Sequence, residues 1–140
     1  MNLLFIGDVF GRPGRGFLKA LLPELIEKYQ VDFTIANGEN AAGGAGLTGA
    51  VAEELFSIGV DVITSGNHIW DKKEIFEVIE AEHRILRPAN YPPDVPGKGS
   101  GIYTAKDGTL VGVVNVCGRV FSPQSLDCPF RTLDDQLSRL

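Results

Sequence analysis

Three short apolar runs in the first half of the chain, each followed within two residues by a glycine, limit the folds that this sequence can adopt. They are residues 3–6, 33–36 and 60–64, and helical patterns separate them. Short continuous apolar runs are typical of strands buried on both faces. Strands that alternate with helices predict an α/β fold with a parallel sheet. Right-handed crossovers then bring the residues after each strand to one edge of that sheet.

The helix predicted after the first strand follows from apolar spacing. It begins at Leu18, and its single apolar face comprises Leu18, Leu21, Leu22, Leu25, Ile26 and Tyr29. Pro23 lies inside this pattern and is expected to kink the helix or to split it. The glycine-rich residues 8–16 are expected to form a loop, and residues 41–46, which are also rich in glycine, a mobile loop.

Capping residues predict two further helices. Thr48 is suited to cap a helix that Gly59 ends. Asp71, with Glu74 three residues later, resembles a capping box for a helix over residues 72–80. The apolar sides of these helices are Val51, Leu55 and Ile58 in the first and Ile75, Phe76 and Ile79 in the second.

The pattern changes in the second half of the chain. Residues 87–97 are rich in proline and are predicted to form a loop. Residues 101–105 and 110–116 flank an Asp-Gly turn and predict a β-hairpin. A last helix is predicted from Thr132, with Leu133, Leu137 and Leu140 on one face.

Polar residues stand at the same place after each of the three predicted strands. They are Asp8 after the first strand, Glu39 and Asn40 after the second, and Asn67 and His68 after the third. Carboxylate and amide oxygens bind metal ions, and two ions about 3.5–4 Å apart can clamp a phosphoryl group and activate water. An imidazole at this place is suited to protonate a leaving oxygen near neutral pH.

Each of these residues also has an ordinary structural explanation. Asp8 is of a type common in turns and helix caps, and Glu39 and Asn40 suit a solvated loop. Asn67 tolerates a left-handed turn, and a single histidine such as His68 is often structural. Their coincidence at three strand ends favours the metal site.

Other residues carry weaker signals. The glycine-rich residues 11–16 are suited to hold phosphate at a helix N-terminus, but they match neither of the standard nucleotide-binding motifs. Arg12 suits either a contact with substrate phosphate or an exposed surface position. Trp70 is interpreted as a packing residue, Cys117 as a core residue, and His83 as a structural or surface residue.

The composition excludes several classes of protein. A net charge of −5 argues against broad binding of nucleic-acid phosphates, although it is compatible with a small phosphorylated substrate held by metal ions. The two cysteines, Cys117 and Cys128, form no C-x-x-C pair. No apolar stretch approaches the length of a membrane span, and residues 1–6 lack the basic start of a signal peptide. We therefore expect no membrane association and a cytoplasmic location.

The motifs at the three strand ends, read with their flanking residues, are GDVFGRPGR, ANGENAAGG and TSGNHIWD. In this order they resemble the N-terminal motifs of the calcineurin-like metallophosphoesterases. They are most similar to the YmdB-type bacterial subfamily of 2',3'-cyclic-nucleotide phosphodiesterases, and the similarity continues through residues 87–92. The resemblance implies a β-sandwich flanked by helices in four layers, αββα, here present only in part. It also implies a homo-oligomer for the full-length protein.

The resemblance further implies a site with two metal ions, iron or manganese. Asp8 and Asn40 would bind the first ion, Glu39 would bridge the two, Asn67 would bind the second, and His68 would donate a proton. Phe10 stands where most of the superfamily has a metal-binding histidine, and Glu39 stands in place of the usual bridging aspartate. Both features fit the subfamily, but they leave the identity of the metals open.

The family completes its site with three histidines from its C-terminal half, whereas this sequence has no histidine after His83. The resemblance therefore implies that residues 1–140 are the N-terminal portion of a single metallophosphoesterase domain. For this chain alone we expect weak metal binding, negligible activity and an uncovered apolar sheet surface.

Two functions remain at this point. The first is a metal-dependent phosphodiesterase that hydrolyses small nucleotides, such as 2',3'-cyclic nucleotides, with a hydroxide activated by two metals and with His68 as proton donor. The alternative is a non-catalytic α/β module that binds nucleotides or a partner and lacks a complete metal site.

Overall fold

The computed structural model describes residues 1–122 and 124–139 and shows a parallel sheet between a helical layer and a β-hairpin. Its strands are β1 (Leu3–Ile6), β2 (Phe33–Asn37), β3 (Val62–Thr64), β4 (Ile85–Leu86), β5 (Ser100–Thr104) and β6 (Leu110–Val114). Its α-helices are α1 (Gly11–Tyr29), α2 (Gly49–Ser57) and α3 (Pro129–Leu137), and two 3-10 helices span Asn67–Asp71 and Lys73–Glu77.

The parallel sheet is built in chain order, β1-β2-β3-β4. Ile35 of β2 pairs with Val62 of β3, and Ile63 of β3 pairs with Ile85 of β4. Each strand therefore lies beside the strand before it, and all four point the same way. This confirms the predicted α/β architecture; β4, with only two residues, was not predicted as a strand.

Two cores cover the two faces of this sheet. The helical face buries Ala36, Ile63 and Ile85 of the sheet against Leu18, Leu22, Ala52 and Leu55 of α1 and α2. The opposite face buries Phe33, Ile35, Val62 and Leu86 against Ala105, Val111 and Val113 of the hairpin region. The side chains of β2, β3 and β4 alternate between these cores, as the pleat requires. The described residues thus form helix, sheet and sheet layers, which is the predicted αββα order in part.

The first helix departs from its prediction in two ways. It begins at Gly11 and not at Leu18, so most of the predicted loop over residues 8–16 is helical. Pro13 falls in the first turn, where its missing N–H would have no partner in any helix. Pro23, which was expected to kink or to split the helix, does not split it, since α1 runs through it. Lys19, whose carbonyl lacks a donor from Pro23, lies on the exposed side, where water can replace the missing bond.

The predicted α-helix over residues 72–80 is also wrong, because this stretch contains the 3-10 helix Lys73–Glu77, which follows the 3-10 helix Asn67–Asp71. The two 3-10 helices and the turn after them bury Ile69, Ile75 and Ile79, and Phe76 of the predicted apolar side is 48% exposed. Phe76 instead stacks on Trp70, with ring centroids 5.3 Å apart. This confirms Trp70 as a packing residue.

The remaining elements agree more closely with the predictions. Thr48 caps α2 by accepting a hydrogen bond from the Val51 amide at 3.3 Å, and Gly59 ends that helix with a φ of +107°. The predicted hairpin is present as β5 and β6. Helix α3 begins at Pro129, before the predicted start at Thr132, because proline suits the first helical turn. Leu140 of its predicted apolar face lies outside the described residues.

One face of the edge strand β1 is open. Leu3 and Phe5 point toward the hairpin layer and are 46% and 57% exposed. They line a groove of about 570 Å³ that also touches β6 and reaches Glu39 and Gly66 at the sheet edge. The structure thus has the uncovered apolar sheet surface that was expected. Within residues 1–122 and 124–139, no helix has both the length and the apolar character needed to cross a membrane.

The contact between the two sheets predicts a pH dependence of stability. Burial raises the pKa of Tyr103 to about 12, and its hydroxyl donates a hydrogen bond to the His83 carbonyl at 2.7 Å. In the unfolded chain a tyrosine ionises near pH 10. Between about pH 10 and 12 the unfolded state therefore binds fewer protons than the folded state, so stability falls as the pH rises.

Denaturant unfolding measured across this interval should show that loss in the parent protein and a smaller slope in Tyr103→Phe. An equal slope in both proteins would contradict the assignment to Tyr103.

Candidate active site

The predicted site residues lie just past the carboxyl ends of three neighbouring parallel strands. Asp8 follows β1, Glu39 follows β2, and Asn67 begins the first 3-10 helix after β3. Because β1, β2 and β3 are paired in parallel, these positions share one edge of the sheet. Open α/β sheets place their ligand sites at this edge.

Asp8 and Asn40 are in direct contact. The Nδ2 atom of Asn40 donates to both carboxylate oxygens of Asp8, at 3.0 Å each. Backbone bonds hold the two loops together, since the Val9 amide donates to the Asn37 carbonyl and the Gly11 amide to the Asn40 carbonyl, both at 2.9 Å. The first two strand ends therefore form one unit.

Glu39 joins this unit to the third strand end. Its amide donates to Oδ1 of Asn37 at 3.0 Å, and Nδ2 of Asn37 lies 3.4 Å from Oε1 of Glu39. The other carboxylate oxygen, Oε2, accepts from the His68 amide at 3.3 Å. A Cβ atom at Gly66 would collide with both carboxylate oxygens, so only glycine leaves room for this side chain.

His68 presents its ring at the surface of the site. Its Nδ1 atom lies 2.7 Å from Oδ2 of Asp71, and the two side chains are 45% and 43% exposed. The hydrogen bond to Asp71 raises the pKa of His68, and the negative charges of Asp71, Glu39 and Asp8 raise it further. The imidazole is thus within electrostatic reach of both carboxylates of the site.

The glycine-rich turn after Asn40 is anchored by Arg15. The guanidinium of Arg15 donates to the Glu54 carboxylate at 2.8 Å and also to the Ala41 carbonyl. Ala41 is fully buried, and Gly44, with a φ of +93°, packs against the ring of Phe10. Arg15 is therefore committed to the scaffold. The mobility of residues 41–46 remains a prediction. Arg12 lies at an exposed position, and its contact with a substrate phosphate stays an untested alternative.

Asn115, which the sequence analysis did not single out, shapes the site. Asn115 is buried, and its Nδ2 atom donates to the carbonyls of Ser65 and Leu86, at 2.7 and 2.9 Å. It thereby ties the ends of β3 and β4 to the hairpin layer. A polar residue inside an apolar strand was the available signal. Cys117, interpreted as a core residue, is partly buried, and burial raises the pKa of its thiol.

The donor chemistry of the site fits a hard metal ion. Asp8 and Glu39 supply carboxylate oxygens, and Asn40 and Asn67 supply amide oxygens, the ligand type that magnesium, calcium and manganese prefer. An ion beside Asp8 would require the Asn40 amide to turn its oxygen inward, a half rotation that exchanges two nearly identical groups. Among residues 1–122 and 124–139, no three His, Cys, Asp or Glu side chains lie close enough to hold a metal. A set of three or more side-chain ligands among these residues therefore needs donors of another kind, such as the amide oxygens of Asn40 and Asn67.

The fold and the strand-edge residues place the chain in the metallophosphoesterase class. A model of the YmdB-like protein family matches residues 4–140, and the chain belongs to this family. It is 49% identical over 138 residues to the 2',3'-cyclic-nucleotide 2'-phosphodiesterase of Bacillus subtilis, and the match covers 99% of this chain and 52% of that protein.

Two solved structures are similar over the whole fold. A crystal structure described as a hypothetical protein from Thermus thermophilus superposes with a TM-score of 0.92 at 44% identity, covering 100% of this chain and 54% of that one. A structure described as a novel phosphatase from Mycoplasma pneumoniae has a TM-score of 0.88 at 32% identity, with coverages of 98% and 50%. The chain thus spans about half the length of the relatives that it matches.

The close approach of the Glu39 carboxylate to Gly66 predicts that a larger residue at this position lowers stability. Gly66→Ala should displace the Glu39 carboxylate, break its bond with the His68 amide and destabilise the protein by about 0.5–1.5 kcal/mol, the usual net contribution of one hydrogen bond. Hydrogen exchange of the His68 amide, measured by NMR, should become faster. Gly7→Ala is the matched control, because a Cβ there meets no atom within 4 Å. Unchanged exchange in Gly66→Ala would refute the close approach.

Proposed function

We propose that this chain supplies the proton donor and part of the metal-binding side chains of a metal-dependent phosphodiesterase that acts on small nucleotides such as 2',3'-cyclic nucleotides. The observation that supports this most directly is the placement of Asp8, Glu39 and His68 at one sheet edge, where Glu39 accepts a hydrogen bond from the backbone amide of His68. Membership of the YmdB-like family adds support, as does the name of the Bacillus subtilis relative.

The proposed metal-binding residues are Asp8 and Asn40 for one ion, Asn67 for a second, and Glu39 between them. The two oxygens of Glu39 have different neighbours, Asn37 on one side and the His68 amide on the other. This arrangement suits a carboxylate that faces two ions. When bound, iron or manganese ions would supply Lewis acidity and a nucleophilic water.

The proposed role of His68 is to protonate the leaving oxygen. Its Nδ1 atom is engaged by Asp71, which leaves Nε2 for a substrate. Opening of a 2',3'-cyclic phosphate releases a ribose hydroxyl, which is a poor leaving group without a proton. The neighbouring carboxylates favour the protonated ring, so His68 can act as a general acid near neutral pH.

The proposal extends to the setting of the enzyme. A net charge of −5 favours a small substrate over extended nucleic acid. A cytoplasmic location and a homo-oligomeric full-length protein complete the proposal, and both rest on the family resemblance and the sequence.

Replacement of the proton donor tests the catalytic part of this proposal. In the complete protein, His68→Ala should lower kcat for a 2',3'-cyclic nucleotide by about 10²–10⁴-fold, the usual contribution of general acid catalysis. Metal content should stay unchanged. His83→Ala is the matched control, because His83 is the second of two histidines in the chain and lies outside the strand-edge site. Full activity in His68→Ala would rule out its role as proton donor.

Replacement of the bridging carboxylate tests the metal-binding part. Glu39→Gln keeps the shape of the side chain but removes one negative charge between the proposed ions, so the metal content of the purified complete protein should fall. Glu74→Gln removes a charge of the same kind at an exposed position and should leave metal content unchanged. Elemental analysis measures both, and equal metal content in the two variants would argue against Glu39 as a ligand.

A further inference from the structure

Asp71 is engaged with His68 in a way that the predicted helix cap would not allow. It ends the 3-10 helix Asn67–Asp71. A 3-10 helix has three residues per turn, so side chains three positions apart lie directly above one another. This spacing sets Oδ2 of Asp71 2.7 Å from Nδ1 of His68.

The two residues between them hold this turn in place. Ile69 is fully buried in the helical core. Trp70 packs between Phe76 and Tyr91, with ring centroids 5.3 and 5.9 Å away. The backbone of the turn is also tied to the site, since the His68 amide donates to Glu39. With the middle of the turn anchored inward, His68 and Asp71 are left together at the surface.

The hydrogen bond between Asp71 and His68 is explained neither by a helix-capping role of Asp71 nor by a contribution to stability. The following 3-10 helix has Lys72 as its N-terminal cap and receives no side-chain capping bond. Among the described residues, the hydrogen bond to His68 is the one that the Asp71 side chain makes. Both side chains are more than two-fifths exposed, and exposed ion pairs contribute little to stability.

We propose that Asp71 is a positioning residue for His68: by accepting the Nδ1 proton, its carboxylate fixes the plane of the ring and directs Nε2 toward the leaving oxygen. The inference rests on the proposed function, in which His68 is the proton donor. It adds that a carboxylate in the same 3-10 helix holds the His68 ring in the orientation needed to donate its proton.

The proposed step is balanced without a further reactant. A water oxygen bonds to phosphorus and releases a proton to solvent, while the bond from phosphorus to the ribose oxygen breaks and leaves its electron pair on that oxygen. The ribose oxygen then takes the Nε2 proton of His68. The ring becomes neutral with its Nδ1 proton still donated to Asp71, which stays ionised, and solvent later returns the Nε2 proton.

Leaving-group dependence separates positioning from a structural role. In the complete protein, Asp71→Asn should lower kcat for a 2',3'-cyclic nucleotide about 10–100-fold, the range typical when a group that orients a functional histidine is removed, with KM unchanged. For bis(p-nitrophenyl) phosphate the loss should be less than about threefold, because p-nitrophenolate departs without a proton. Asp71→Glu should recover part of the activity, and Glu74→Gln, an exposed carboxylate nearby, should change neither rate.

A double-mutant cycle tests whether Asp71 acts through His68. Asp71→Asn should cause no further loss in a His68→Ala background, since residues that act as one unit are not additive. If His68→Ala lowers kcat equally for both substrates, His68 is not the proton donor. If His68→Ala lowers kcat more for the 2',3'-cyclic nucleotide than for bis(p-nitrophenyl) phosphate, and Asp71→Asn does not, only the positioning role of Asp71 fails.

A measurement without turnover completes the test. The metal-free protein should show a downfield NMR resonance from the hydrogen-bonded Nδ1 proton of His68, and this resonance should disappear in Asp71→Asn while the melting temperature stays the same. Equal losses on both substrates together with a lower melting temperature would assign Asp71 a structural role and overturn the proposal.

Discussion

The candidate site depends on the space that Gly66 leaves for the Glu39 carboxylate. This contact joins the end of β2 to the end of β3. The hydrogen bond from the His68 amide to Glu39 also fixes the backbone from which the imidazole extends. The Asp8 and Asn40 pair attaches the end of β1 to the same unit. The charged side chains of the site are held mostly by backbone amides and by side-chain amides. These hydrogen bonds cost little conformational entropy, because the strands already fix the donors. The order of the site is therefore a consequence of the order of the sheet.

The fold was largely predictable because its strands are continuous apolar runs whose period differs from that of the helices. The errors fall where local chemistry and tertiary packing disagree. Glycines over residues 11–16 suggested a loop, yet the stretch is helical because the first turn tolerates Pro13 and because the same helix continues to Leu18 and Leu22, which are buried. The region of the 3-10 helices buries Ile69, Ile75 and Ile79. Their spacing is compatible with 3-10 helices, and no local signal in the sequence distinguishes these from an α-helix.

Some residues of the candidate site could be predicted from the sequence, and others could not. Asp8, Glu39 and Asn67 could be named because strand ends of a parallel sheet converge by topology alone. The partner of His68 could not, since Asp71 reaches Nδ1 through a 3-10 turn that the sequence does not signal, and the sequence suggested that Asp71 caps a helix. Asn115 could be noticed as a polar residue inside an apolar strand, but its partner could not be predicted, because the Ser65 carbonyl lies 50 positions away in the sequence.

The strand order has a consequence for synthesis of the protein. Each strand of the parallel sheet pairs with the strand made just before it, so no pairing has to wait for a distant part of the chain to leave the ribosome. Such local connections keep the entropy of loop closure small and favour fast folding. Asp8 can meet Asn40 before residues 67–71 have been made. The nascent chain thus contains Asp8, Glu39 and Asn40 of the candidate site before Asn67 and His68 are made.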